Sequence, residues 1–466
     1  MHRADRQSVS EGGRCSKVES AVEEKTWQDR VTALSDFRYR KGAAMKRKQM
    51  YKRIAAVLVS AAMLMGSMSM AYAEEPATEA AAETEVISSE ETSEGQTEEN
   101  AASSDADASW MTAAEDAPDV AGLECTGKLK LDYATGFDVY YYENDYALID
   151  VHDSAQYLLV PDGQEAPDGL ASDVIVLQKP LNRIYLAASS AMALFRALDS
   201  LDCIKMTGID ASGWYIQEAK DAIEEGAMQF AGKYSEPDYE MLVDEDCDVA
   251  IESTMILHTP KVQEMIENLG IPVFIDRSSY EMHPLGRTEW VKLYGAMMGK
   301  EAEAADFFDR QAEVIDEMED FQNTEKTVAF FFVSTDGTIV VRRTKDYISS
   351  MIELAGGRYV FQDLTGAEAT SSSVSLSMEE FYAAAKDADY LVYNATIDNP
   401  ISSVDELLAK NELFADFKAV KEGNVWCVGK YMYQATDIVG QLIRDFHLML
   451  TDGDPSQMTF LTKVSD

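Results

Sequence analysis

Eight positions in this chain carry side chains suited to holding a large, flat or anionic molecule. Trp214 and Tyr215 follow a predicted strand at 204–209, Thr254 follows one at 249–251, and Arg277 and Tyr280 follow one at 271–276. Farther along, Arg342 and Tyr347 lie near a strand pair, and Tyr433 follows a strand at 425–428. Aromatic rings stack on flat molecules and guanidinium pairs with carboxylate, so the set suits recognition of an intact solute. Ordinary loop packing would use any one of these residues equally well. Arg277 and Trp214 stand out because they are costly to leave in a bland loop. Metal chemistry has less to build on. His152, His258, His283 and His447 are scattered, with no pair at ligand spacing, whereas a zinc or manganese site wants clustered imidazoles and carboxylates. His258 and His283 both follow strands of the first half, which leaves a bare-metal site as an alternative. No CxxC, HExxH, GxSxG or GxxxxGK[ST] occurs, so common redox, hydrolytic and ATP chemistry lack their motifs.

The chain has 466 residues, 83 acidic against 40 basic, for a formal charge of −43. That length fits two or three domains. Such an acidic surface repels phosphate backbones and anionic lipid, so no nucleic-acid partner is expected. Five scattered cysteines exclude a disulfide-stapled scaffold, and no pairing is read from their spacing.

The elements that must position these residues start late. Met45-Lys46-Arg47-Lys48 opens a basic patch, 54–70 is apolar or small, and Ala71-Tyr72-Ala73 is a small-residue cleavage signal. Residues 45–73 are read as a secretory signal peptide. The alternative is an uncleaved anchor, for which roughly 17 apolar residues are at the short edge. Because such a signal belongs at an N-terminus, Met45 is read as the true start and 1–44 as a mis-called extension. Residues 74–124 hold sixteen acidic residues and no Lys or Arg. Residues 74–125 are therefore expected to be a disordered acidic linker. No cysteine follows the apolar run closely, so no lipoprotein-type attachment site is expected.

From 126 onward, short strands alternate with helices, the pattern of a doubly wound α/β sheet. A hairpin is predicted at 137–142 and 146–151, a third strand at 157–161, and then a strand–helix series to 276. An apolar stripe through Trp290, Leu293, Tyr294, Met297, Ala305, Phe308 and Ile315 predicts a helix over 289–322, about 50 Å if unbroken. Gly295 and Gly299 mark a bend or a close contact within it. A second alternating series fills 326–466. The predicted architecture is two doubly wound α/β lobes, 126–288 and 326–466, joined by a single long helix at 289–325.

Several stretches resemble one family in order. Gly232-Lys233-Tyr234-Ser235-Glu236-Pro237-Asp238-Tyr239-Glu240, followed by Asp248-Val249-Ala250-Ile251, resembles its first-lobe motif. His283-Pro284-Leu285-Gly286-Arg287-Thr288-Glu289-Trp290 resembles its lead-in to the linking helix. Ser377-Met378-Glu379-Glu380-Phe381 and Phe417-Lys418-Ala419-Val420-Lys421-Glu422-Gly423 resemble second-lobe segments. The family is the extracytoplasmic substrate-binding proteins of ABC importers for iron–siderophore, haem and cobalamin. The resemblance implies a monomer that performs no catalysis and needs no cofactor. It would capture a small-molecule metal chelate between its lobes, iron–siderophore or haem first and corrinoid next. It would then deliver the chelate to a membrane permease and its ATPase. It also implies docking to permease arginines through Glu240 and Glu379, one on each lobe, and a place on the outer face of the membrane or in the periplasm. A surface solute sensor or adhesion module is the competing class.

Overall fold

The computed structural model describes residues 109–465, except 317, 319, 320, 345 and 365–372. The expected upstream extension, signal peptide and most of the acidic linker lie outside the described residues. Ordered structure nevertheless starts before 126. β1 (Met111–Thr112) pairs antiparallel with β2 (Cys125–Leu129), and the Trp110 ring lies edge-on to Tyr141 at 5.1 Å. Val120 is buried beside Tyr142, whose hydroxyl donates to the Pro118 carbonyl at 2.6 Å. The last residues assigned to the linker thus bring apolar side chains that the surrounding acids mask in a composition count.

β3 (Phe137–Tyr142) and β4 (Ala147–Val151) form the predicted hairpin. Asn144 and Asp145 take left-handed φ of 59° and 63° in its turn, a conformation these two residue types tolerate. β5 (Gln156–Val160) and β6 (Ile175–Gln178) complete a six-stranded sheet in the order β1 to β6, antiparallel except for its last pair. One face of this meander joins the main first-lobe core, while Tyr140, Tyr142, Leu148 and Leu158 form a smaller cluster on the other.

The doubly wound part begins after it. β7 (Ile184–Leu186), β8 (Ile204–Thr207), β9 (Gln229–Phe230), β12 (Val249–Ser253) and β13 (Val273–Asp276) form a parallel sheet in the order β13-β12-β7-β8-β9. A small antiparallel pair, β10 (Gly232–Lys233) and β11 (Glu236–Pro237), lies apart from it. Helices α1 (Ala191–Ala197), α2 (Gln217–Glu224), α3 (Tyr239–Asp244) and α4 (Pro260–Asn268) alternate with these strands. Strand order reverses at β7, the kind of switch point beside which α/β sheets bind ligands at their carboxyl ends.

The predicted single helix is instead two. α5 spans Pro284–Met298 and α6 spans Glu301–Asp316. Gly299 ends α5 at a left-handed φ of 69°, and both Gly299 and Lys300 donate backbone N–H to the Gly295 carbonyl. α6 then folds back, so that Lys292 Nζ lies 4.4 Å over the Phe308 ring. At about 24 Å, α6 is half the predicted rod. It still carries the chain across: Ala304 and Phe308 pack in the first-lobe core, and Val314, with Met318 just past the helix end, packs in the second.

The second lobe is one mixed sheet. β14 (Thr327–Val333), β18 (Tyr390–Asn394) and β19 (Val425–Val428) are parallel. β15 (Ile339–Arg342) and β17 (Ser373–Leu376) extend it on one side and β20 (Leu461–Lys463) on the other, all antiparallel, while β16 (Arg358–Tyr359) pairs with β14. Its helices are α7 (Tyr347–Leu354), α8 (Met378–Ala385), α9 (Val404–Lys410), α10 (Lys418–Lys421) and α11 (Val439–Leu450). Among the described residues, no disulfide joins Cys125, Cys203, Cys247 and Cys427 to one another.

Candidate ligand site and docking carboxylates

The loop after β8 separates two neighbours. Asp210 caps a short turn at Ala211–Gly213 by accepting from the Ser212 and Gly213 amides. Trp214 then turns inward: it is fully buried in the first-lobe core, with its indole N–H donating to the Ile209 carbonyl at 3.1 Å. The expectation of Trp214 as a ligand contact is corrected, since the ring fills core volume. Tyr215 points the other way and is 38% exposed, as is Tyr433 of the second lobe, with ring centroids 6.5 Å apart.

Gln434 ties these loops together. Its Oε1 accepts from the Tyr215 amide at 2.7 Å, and its Nε2 donates to the Gly213 carbonyl and to the Tyr433 hydroxyl, both at 2.9 Å. Arg196, on α1, bonds Asp437 at 2.6 Å and donates to the Tyr431 hydroxyl at 3.3 Å. Burial disfavours charge on Arg196, but the adjacent Asp437 carboxylate more than offsets this and raises its pKa. Thr288 Oγ1 donates to the Thr436 carbonyl at 2.8 Å. Three side chains thus join the lobes through the second-lobe segment 431–437.

A second meeting point is built on α7. Tyr347, its first residue, is nearly buried. The guanidinium of Arg287, from the first turn of α5, lies 3.5 Å from the Tyr347 ring centroid, and that of Arg342 lies 5.3 Å from it. Arg342 also donates to the Tyr347 hydroxyl at 3.2 Å and pairs with Asp346 at 3.4 Å. Burial lowers the Arg287 pKa, with Tyr347 and Asp346 opposing. At Arg342 burial acts in the same direction, but Tyr347 and Asp346 outweigh it and the pKa rises. Two guanidiniums around one ring and one carboxylate leave this spot electropositive in a strongly acidic chain.

The remaining predicted residues fall elsewhere. Thr254 opens a half-buried turn after β12, flanked by exposed Met255 and Leu257. Arg277 lies against the first lobe's own β4–β5 turn, donating to the Asp153 carbonyl at 3.3 Å and lying 4.9 Å from the centre of the exposed Tyr280 ring. Tyr215 with Tyr433, and Arg342 with Tyr347, are therefore brought together, whereas Trp214 and Arg277 join neither pair. Arg287, Arg196 and Asp437 were missed as site residues. The one available signal was a lone arginine in each of the apolar runs that become α1 and α5.

Glu240 and Glu379 are both exposed in the first turn of a helix, one per lobe. Asp238 caps α3 by accepting from the Met241 amide, and Ser377 with Glu380 forms a capping box on α8. Among the described residues, no group of three or more His, Cys, Asp and Glu side chains is placed to hold a metal.

A family profile described as periplasmic binding protein matches residues 193–431, just over half of the chain. The chain belongs to the periplasmic binding protein family. An uncharacterised lipoprotein of Methanocaldococcus jannaschii is 27% identical over 274 residues, covering 56% of this chain and 63% of that relative. A second uncharacterised lipoprotein of the same organism is 24% identical over 331 residues, 68% of this chain and 82% of its own length. Among solved structures, a haem-binding protein of Vibrio cholerae matches with a TM-score of 0.47 at 14% identity, covering 56% of this chain and 97% of that one. The petrobactin-binding protein of Bacillus subtilis gives 0.46 at 16%, covering 58% and 92%.

Membership places the protein among exported binding proteins. No helix among the described residues is long and apolar enough to cross a membrane. The lipoprotein names of both relatives do not fit the expectation of a chain without a lipid-anchor cysteine, although no cysteine lies between the apolar run at 54–70 and Cys125.

Proposed function

We propose that this protein is the substrate-binding component of an ABC importer. It captures a metal chelate between its lobes, ferric siderophore or haem first and corrinoid next, and hands it to a membrane permease and its ATPase. It performs no catalysis. The observation that carries the reading is the Arg287–Tyr347–Arg342 cluster, in which cationic and aromatic groups of both lobes converge. Guanidinium pairs with the carboxylate or catecholate oxygens of such ligands, and the ring stacks on a flat one. Exposed Tyr215 and Tyr433 supply further stacking surface.

Titration calorimetry of the full chain with ferric catecholate and hydroxamate siderophores, haemin and cobalamin tests this. Binding at about micromolar or tighter, roughly −8 kcal/mol, is expected for one class. Arg287→Ala, checked for folding by circular dichroism, should weaken it at least tenfold. A folded protein that binds none of the four overturns the proposal.

A further inference from the structure

A cavity of about 270 Å³ opens on the flank of the first lobe, and none of its lining residues comes from the second lobe. Its walls are Tyr157 and Ile175 of the meander sheet, Leu257 of the turn after β12, and Ile275 of β13. Arg277 and Asp153 close one side. The volume is at the small end of ligand sites.

Arg277 is under-used where it stands. A guanidinium has five N–H donors, yet beside the Tyr280 ring at 4.9 Å the described polar partners are the Asp153 carbonyl at 3.3 Å and the Asp153 carboxylate at 4.0 Å. Its side chain is only 18% exposed, so water reaches little of it, while the Asp153 side chain is 90% exposed. A cation largely withdrawn from water gains from a close, hydrogen-bonded anion. Asp153 is too distant to serve and free to swing outward. We infer that this cavity is a binding site for a small monocarboxylic acid, with the carboxylate paired to Arg277 and an alkyl or aryl body against Tyr157, Ile175, Leu257 and Ile275. The site is separate from the contacts between the lobes, so it stands or falls independently of chelate binding.

Benzoate is the probe, followed by methyl NMR of the full chain. Saturable shifts are expected at the Leu257, Ile175 and Ile275 methyls. Arg277→Gln should weaken binding at least tenfold, and benzyl alcohol, of similar shape without the charge, should bind at least tenfold more weakly. Asp153→Asn should strengthen benzoate binding severalfold by removing a negative charge that repels the ligand carboxylate beside Arg277. Asn tolerates the left-handed φ of 55° found there, so this variant decides the matter if Arg277→Gln fails to fold. The inference is overturned by no saturation into the millimolar range, by shifts confined to other methyls, or by an Asp153→Asn variant that binds no better.

Discussion

Glu252 sits in β12 with its side chain fully buried, and neither carboxylate oxygen has a hydrogen-bond partner among the described residues. Burial alone pushes its pKa up from 4.5 to about 8. A raised carboxyl pKa means that the folded state holds a proton which the unfolded chain releases. Its linkage contribution is therefore complete below pH 4.5, falls as pH rises towards about 8, and is constant above that. Urea unfolding should show stability dropping by several kcal/mol between pH 5 and 8. Glu252→Gln, which cannot ionise, should flatten that slope and be the more stable protein at pH 8. An unchanged slope in the variant would place the pH dependence elsewhere. The run Val249-Ala250-Ile251 was legible as a buried strand, but neither its extension to Glu252 nor the missing partner was. A partner depends on which elements meet over a strand, and sequence order does not state that. The same limit applies at Trp214 and Tyr215. Their types marked a site loop, while one residue of phase in a turn decided which ring faced the second lobe.

Among the elements, the loop joining β2 to β3 shows how α5 is fixed. Glu289, fully buried, accepts from the amides of Asp132, Tyr133 and Ala134 at 2.7–2.8 Å and pairs with Lys292 at 2.7 Å. Glu281 accepts from the Thr135 and Gly136 amides and from the Trp290 indole at 3.0 Å. Two carboxylates thus hold five successive amides and tie the meander sheet to the helix that presents Arg287. In Glu289→Gln an amide NH₂ would face a backbone N–H, and Lys292 would lose its nearer counter-ion and keep only Asp132 at 3.5 Å. A loss of about 3 kcal/mol or more is expected from chemical denaturation. A loss under 1 kcal/mol would show the loop to be held by packing instead. Gly295→Ala tests the turn between α5 and α6. Its methyl would lie 2.6 Å from Ala304 Cβ and 3.0 Å from the Lys300 carbonyl, so a cost of about 1–3 kcal/mol is expected in the same assay. The apolar stripe could not reveal this turn, because α5 and α6 both bury apolar faces in the first-lobe core and the periodicity reads through the break. Gly295 and Gly299 were the only signs. The central strands and the longer helices were legible to within a few residues, because each bears a burial pattern matched to its own period, whereas β2, β6, β17, β20 and the short α10 were not predicted.

At the scale of the molecule, two lobes joined by α6 are also joined side chain to side chain. A hinge that opened widely would have to expose Asp437, only 3% accessible, and separate it from Arg196. Breaking one half of a buried ion pair costs about 3–5 kcal/mol, because the other charge stays behind in a poor solvent. Arg196→Met alone should therefore destabilise the protein by that order, whereas Arg196→Met combined with Asp437→Leu should recover much of the loss. A double-mutant cycle read by urea unfolding separates the coupling from the packing of each side chain. With the pair intact, small-angle scattering should give nearly the same radius of gyration with and without a bound chelate, since Gln434 and Thr288 resist the same opening. A contraction on binding, or a cycle with no coupling, would mean that the lobes separate freely and that these contacts belong to only one of their states. The outcome bears on docking as well. Glu240 and Glu379 stand on different lobes, and if they dock to permease arginines, as the importer proposal requires, they can report a bound ligand only as far as the lobes move. If the lobes are clamped, Glu240→Ala with Glu379→Ala should abolish cellular uptake of the chelate while calorimetric affinity stays unchanged, and each single variant should lose part of it. Uptake that survives the double substitution with chelate binding intact would show that Glu240 and Glu379 are not the docking carboxylates.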